Sequence, residues 1–225
     1  MTPLVQLEVA AAAFVGTHFL LSHPLRKPLV GALGEKAFLG VYSLVALATL
    51  VWMVLAARAV PAEAPQWQAG TAAWVIASLL MWLGSILFVG SHRGNPALPH
   101  PDGPPQIPAE PRGVFKVTRH PMMWAFALWA VVHAIVNATP SGLVLAEAIF
   151  ALAIVGSLLQ DMKKRARLGS AWKQWERKSP FVPFGKGFAW PGNVAVIGGT
   201  LLYLAATYAH GALGYRPAGF WALLG

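Results

Sequence analysis

The chain reads TAAWVIASLLMWLGSILFV over residues 71–89, a run without a charged side chain. At 1.5 Å per residue, a helix of this length covers about 28 Å, close to the thickness of the hydrocarbon core of a bilayer. The whole chain has the same character, because 56% of its 225 residues are hydrophobic and 11% are charged. Soluble domains carry about a quarter charged residues. The run therefore predicts a transmembrane helix, and the composition predicts an integral membrane protein.

Further apolar runs on both sides of this stretch predict a bundle of about six transmembrane helices. The predicted helices cover residues 4–21, 37–56, 71–89, 121–137, 140–160 and 193–210. The predicted fold is all-α, a polytopic membrane helix bundle that forms a single domain over residues 1–225. Residues 94–112 contain seven prolines and predict a long irregular loop, because proline fixes its own φ and disfavours helix in the residue before it.

Basic residues are concentrated in three of the predicted loops. The chain has 17 Lys and Arg against 8 Asp and Glu, and most of the basic residues follow helices one, three and five. Because basic loops stay on the cytoplasmic side, we expect a multi-pass protein of the bacterial inner membrane with both termini in the periplasm. Membrane lipid is then the expected partner, and a nucleic-acid role is not. We expect no cleaved signal peptide, and the absence of cysteine excludes thiolate metal sites.

Histidines inside the predicted helices need an explanation, because ionisable side chains at membrane depth are costly and tend to be functional. His18 lies in helix one and His133 lies deep in helix four. For His133 the alternative is a plain hydrogen bond between helices. One face of helix four carries, at helical spacing, Met122, Phe126, Trp129, His133 and Asn137. Such a stripe is usually packing, but its polar end favours a pocket wall.

Two neutral imidazoles from two helices can hold a haem iron axially, although histidine placement without a motif does not by itself predict haem. Arg119 is one of the basic residues that could pair with haem propionates. Counted from the inner surface, His18 is about 10 Å deep and His133 about 20 Å deep, so a shared iron requires a tilted haem, a tilted helix or other helix boundaries. Otherwise one axial ligand is another residue or is absent. His120 precedes His133 by 13 residues and cannot share a metal with it on a straight helix.

Two features near the basic segment leave alternatives open. Asp161 ends predicted helix five beside three bases, so it either pairs with these neighbours or is a pocket residue next to Arg119. Residues 172–184 alternate aromatic and basic side chains. This pattern predicts an amphipathic helix at the membrane interface, with its rings at headgroup depth.

Several separated motifs occur in one order along nearly the whole chain. They include His18-Phe-Leu-Leu-Ser-His-Pro-Leu-Arg26, Thr118-Arg-His-Pro-Met-Met-Trp124, Gly156-Ser-Leu-Leu-Gln-Asp161 and Trp172-Lys-Gln-Trp175. With these motifs the chain resembles the NnrU family of bacterial membrane proteins. That family is similar to the plant and cyanobacterial 15-cis-ζ-carotene isomerase, which contains haem b. The resemblance implies haem b as cofactor and His18 and His133 as candidate axial ligands, with His120 in the shared Arg-His-Pro motif.

The resemblance implies two kinds of role. One is a redox-gated cis–trans isomerase that acts on a small hydrophobic substrate. The other is a factor for the production of nitrite and nitric oxide reductases, because NnrU proteins are associated with denitrification. The resemblance does not choose between them, so whether the protein is an enzyme stays open.

A second resemblance points to another class of protein. The Arg-His-Pro segment followed by Trp172 and Trp175 is similar to the isoprenylcysteine-type membrane methyltransferases. There, a downstream Glu-Glu pair helps to bind S-adenosylmethionine, whereas this chain has Gln160-Asp161 at that place. A non-enzymatic membrane assembly factor is the third hypothesis, since a fold does not fix a function.

Overall fold

The computed structural model describes residues 1–98, 107–216 and 218–223. Residues 99–106, in the middle of the predicted proline-rich loop, lie outside the described residues. The helices in chain order are α1 (Pro3–Ser22), α2 (Arg26–Leu33), α3 (Glu35–Ala59), α4 (Thr71–Gly90), α5 (Val114–Val117), α6 (Pro121–Val136), α7 (Pro140–Leu168), α8 (Ser170–Lys178), α9 (Asn193–Ala212) and a terminal 3-10 helix (Gly219–Leu223). The predicted all-α fold is confirmed.

Five of these helices are long and apolar enough to cross a membrane, namely α1, α3, α4, α7 and α9. The sixth predicted span, α6, is apolar but has only 16 residues. Its first turn begins with Pro121, which suits a position where the backbone N–H has no helical partner. The chain is therefore a multi-pass membrane protein with a bundle of about six helices, as predicted.

The largest difference from the predicted boundaries is at the end of α7. The prediction ended this helix near Gln160, where charged residues begin, but α7 continues to Leu168. Lysine and arginine are good helix formers, so charge alone does not end a helix. The helix ends at Gly169, which has a φ of 56° that favours glycine. The connector after α1 also contains a short helix, α2, that the sequence did not predict.

The membrane helices pack in a row whose order differs from their order in the chain. The principal helix–helix contacts run α3, α1, α7, α6, α4 and α9. In this row α7 lies between α1 and α6, and α4 lies between α6 and α9. The row decides which side chains can meet, because α6 faces α4 and α7 rather than α1.

The two ends of the bundle differ in charge. At one end, called the charged end here, α1, α4 and α7 finish and the three basic segments follow. Contacts join these segments: His23 Nε2 is 3.2 Å from Leu159 O, and Lys164 Nζ donates to Pro96 O at 3.0 Å. At the opposite end, Gln66 N donates to Ala138 O at 2.8 Å. The consecutive membrane helices therefore alternate in direction, as the prediction of about six spans requires.

The charged end contains the densest core. Trp172 and Trp175 of α8 are 0% and 1% exposed and pack with Phe115 and Val117 of the α5 turn. The predicted amphipathic helix is observed, but its rings are enclosed by protein rather than exposed to lipid, and their depth at the lipid headgroups stays a prediction. Helix α8 is amphipathic, but its apolar face is buried against the protein because the segment 114–117 folds back over the bundle end.

Candidate functional site

His133 lies near the C-terminal end of α6 and is held in one orientation. Its Nδ1 is 2.8 Å from Trp129 O, one turn earlier in the helix, and its ring stacks on the Trp129 ring with 4.0 Å between centroids. The backbone contact makes Nδ1 the protonated nitrogen. Nε2 then carries a lone pair, and none of the described residues donates a hydrogen bond to it. A fixed imidazole with a free Nε2 is the form that binds a metal.

A cavity of about 530 Å³ opens beside His133, between α4, α6, α9 and the 3-10 helix at the opposite end of the bundle. Most of its wall is apolar or aromatic. Its polar side chains are Ser78, Ser85, Asn137, Tyr203, Thr207, Tyr215, Arg216 and the two histidines His133 and His210. This size and this lining are typical of sites that bind a small molecule or a cofactor.

His210 of α9 faces His133 across this cavity. The centroids of the two imidazole rings are 6.4 Å apart, and the planes are inclined by 33°. Like His133, His210 places its Nδ1 near the carbonyl oxygen one turn earlier, 2.8 Å from Ala206 O. The sequence did not predict a role for His210. The signal in the sequence is weak: both histidines lie near the C-terminal ends of helices that run in the same direction.

One further residue at the cavity suits a ligand with a negative part. The guanidinium of Arg216 lines the cavity and lies 4.8 Å above the ring of Trp74, another lining residue.

The predicted stripe on α6 is divided by the structure. Trp129, His133 and Asn137 line the cavity. Met122 and Phe126, one to three turns closer to the charged end, are not among the lining residues, and Phe126 packs edge-on against Phe88 of α4. The pocket wall is therefore the C-terminal half of the stripe.

His18 lies elsewhere in the bundle. Its ring packs against Phe14 and against Tyr42 of α3, with centroids at 4.5 and 5.6 Å. The neighbouring Phe19 approaches Gly156 of α7, whereas the cavity is lined by Gly142 of the same helix. Fourteen residues of helix correspond to about 21 Å. Since α7 also separates α1 from α6, the structure does not bring His18 and His133 together.

Arg119, His120 and Asp161 meet at the charged end in a buried cluster. Arg119 Nε and Nη2 donate to Asp161 Oδ2 at 2.9 and 2.7 Å, and His120 Nε2 is 2.9 Å from Oδ1. The indole N–H of Trp172 donates to the same Oδ1 at 3.2 Å. Asp161 pairs with Arg119 rather than with the neighbouring bases, but it is not among the residues that line the cavity, so neither of the two alternatives holds in full. Its partners tie α6, α7 and α8 together.

Both ring nitrogens of His120 have protein partners, because Nδ1 is 3.1 Å from Gln160 Oε1. The remaining Nη1 of Arg119 donates to Ser179 O at 3.2 Å. The polar atoms of this cluster are thus directed at one another, as in a structural junction. His120 and Arg119 are not among the residues that line the cavity.

The fold and the cavity define the class of protein: a multi-pass helical membrane protein with a cavity between its helices. The family model described as NnrU protein matches residues 6–217, and the chain belongs to the NnrU family. Neither a curated protein nor a solved structure matches the chain.

Proposed function

We propose that this NnrU-family membrane protein binds haem b in the cavity between α4, α6 and α9, with Nε2 of His133 as an iron ligand. The observation that carries the proposal is the orientation of His133, whose Nδ1 is 2.8 Å from a backbone carbonyl while Nε2 has no described partner. Metal-binding histidines usually donate their other ring N–H in this way.

The donor set of the cavity favours haem over a bare metal ion. Among the described residues, no group of three His, Cys, Asp or Glu side chains could hold a metal ion. An ion such as zinc needs about four protein ligands or three and a water. A porphyrin brings its own four nitrogens and needs the protein only for axial positions. Its ring is apolar and flat, which matches the aromatic and aliphatic lining of the cavity.

One residue at the cavity suits the propionates of haem b. Arg216 lines the cavity and supplies a cation. Arginine is well suited to a carboxylate, because its planar guanidinium can donate two parallel hydrogen bonds.

When bound, haem iron supplies one-electron redox chemistry. The protein contributes orientation through the Trp129 stack and a low-dielectric wall around His133. From the family association, we propose that this haem serves the production of nitrite and nitric oxide reductases in denitrification. We also propose a location in the bacterial inner membrane with the charged end in the cytoplasm, because basic loops favour that side.

The proposal is tested by titrating the full-length protein in detergent with haemin. The wild type is expected to develop a Soret band that saturates at one haem per chain. His133→Ala removes the ligand, and the apparent affinity is expected to fall at least tenfold. His92→Ala is the matched control, because His92 makes the same backbone contact to Phe88 O at 2.9 Å but is exposed outside the cavity. A wild type without saturable haem binding would refute the proposal.

A further inference from the structure

We infer that His210, rather than His18, is the second axial ligand, so that one iron lies between α6 and α9. This inference rests on the proposed haem site and adds the residue that completes its coordination. The pair of facing imidazole rings in the cavity supports this assignment. None of the sequence motifs contains His210.

The spacing of the two imidazoles fits a single shared metal. A histidine nitrogen lies about 2.0 Å from its metal, and the centre of the imidazole ring lies about 1.2 Å behind that nitrogen. Two imidazoles on opposite sides of one iron are therefore about 6.4 Å apart between centroids. The observed separation of His133 and His210 is 6.4 Å. A direct hydrogen bond between the rings would bring them closer than this.

The nitrogen that each ring has available agrees with this spacing. His133 and His210 each place Nδ1 at 2.8 Å from a carbonyl oxygen of their own helix. Each therefore keeps Nε2 as an acceptor, and no described residue donates to either atom. Two lone pairs beside one cavity favour a shared positive centre, because neither imidazole can donate to the other from Nε2.

The backbone contact alone does not select a ligand, because other histidines share it. His18 has Nδ1 at 2.6 Å from Phe14 O, and His92 has it at 2.9 Å from Phe88 O. What distinguishes His210 is its place in the cavity opposite a second imidazole. The ring of His18 contacts that of Tyr42 edge-on, and neither residue lines the cavity.

The position of α9 is fixed independently of any ligand. Gly199 allows the closest approach to α4, since a Cβ there would lie 2.6 Å from Ile86 N. Trp82 Nε1 of α4 donates to Thr200 Oγ1 of α9 at 2.9 Å. His210 is therefore presented to the cavity by packing between α4 and α9, which makes it a preorganised ligand rather than one drawn in from a loop.

The test compares the ferric spectra and haem affinities of His210→Ala, His18→Ala and His92→Ala with those of the wild-type protein, all full-length in detergent. Two imidazole ligands give a low-spin, six-coordinate iron, and we expect this electron paramagnetic resonance signal in the wild type, His18→Ala and His92→Ala. His210→Ala is expected to be high-spin, with at least tenfold weaker haem binding. Added imidazole should restore the low-spin signal, which a merely structural loss would not permit.

Two outcomes overturn the inference. A low-spin His210→Ala protein with unchanged affinity would exclude His210 as a ligand. Conversion to high spin in His18→Ala would assign the second ligand to His18. Circular dichroism and size-exclusion profiles establish that each variant is folded. A wild type that binds no haem would instead refute the proposed function, so the two failures are distinguishable.

Discussion

Asp161 is the most deeply buried carboxylate among the described residues. It is 2% exposed and accepts hydrogen bonds from Arg119 and from the Trp172 indole, with His120 at 2.9 Å. Removing the charge of one partner leaves the other buried and unbalanced, which costs more than the pair contributes when intact. The residue therefore tests whether the cluster at the charged end is a structural junction.

We predict that Asp161→Asn lowers the free energy of unfolding by about 3–5 kcal/mol, because the buried Arg119 loses its nearest counter-charge and keeps only the carboxylate of Glu176, at 3.9 Å. Thermal unfolding in detergent measures the effect. Glu110→Gln is the control: Glu110 pairs with Lys178 at 2.6 Å, but its side chain is 68% exposed, so the change should be below about 1 kcal/mol. Equal effects of the two substitutions would contradict the structural role.

The sequence predicted individual residues unevenly. It selected His133, Trp129 and Asn137 because helical spacing alone puts them on one face, and all three line the cavity. It could not select His210, because the partner of a histidine depends on which helices are neighbours. It also could not show that Arg119 and His120 lie away from the cavity, since their hydrogen bonds to Asp161 span more than 40 residues.

At the scale of the helix, close packing of α9 on α4 is the contact that shapes the cavity. Gly199 faces the backbone of Ile86, and Gly198 faces Val89. Small residues at such positions let two helix backbones approach, which is how membrane helices associate without a hydrophobic driving force. Any side chain at Gly199 must move one helix away from the other.

We predict that Gly199→Ala destabilises the protein by about 1–3 kcal/mol, because the added methyl group overpacks the α4–α9 contact. The same variant should bind haemin more weakly, since the displacement moves His210. Gly211→Ala on the same helix is the control: a Cβ there meets nothing within 4 Å, and alanine favours helix. A Gly199→Ala protein as stable as the Gly211→Ala protein would argue against this packing.

The elements were predicted best where hydrophobicity decided them. The starts of α4, α6, α7 and α9 were predicted at the observed residues because apolar runs, Pro121 and Pro140 mark them in the sequence. The end of α7 and the whole of α2 were missed, because basic residues leave the membrane without leaving the helix. Burial of Trp172 and Trp175 was missed because the segment that covers them, 114–117, is distant in sequence.

For the whole molecule, the uneven distribution of charge predicts the orientation in the membrane. The three basic segments lie at the charged end, whereas the opposite end, where the cavity lies, carries few cations, such as Arg58 and Arg216. The wild-type chain has no cysteine, so single introduced cysteines report their side of the membrane without a background.

We predict that Ala64→Cys reacts with a membrane-impermeant maleimide in intact bacterial cells, whereas Ala171→Cys reacts only after permeabilisation. Both positions are exposed, at the opposite end and at the charged end respectively. The expected orientation follows from retention of basic loops in the cytoplasm. The reverse labelling pattern would place the cavity on the cytoplasmic side.

The proposed binding of haem b at His133 is tested by the haem content of the wild-type protein, purified from haem-replete membranes. With His133 and His210 as ligands, we expect about one haem b per chain by pyridine haemochrome assay, and a reduced-minus-oxidised spectrum typical of two imidazole ligands. His133 and the cavity around it have no other proposed occupant. The proposed haem site would be contradicted by a folded, monodisperse protein that contains no haem and takes up none when haemin is added.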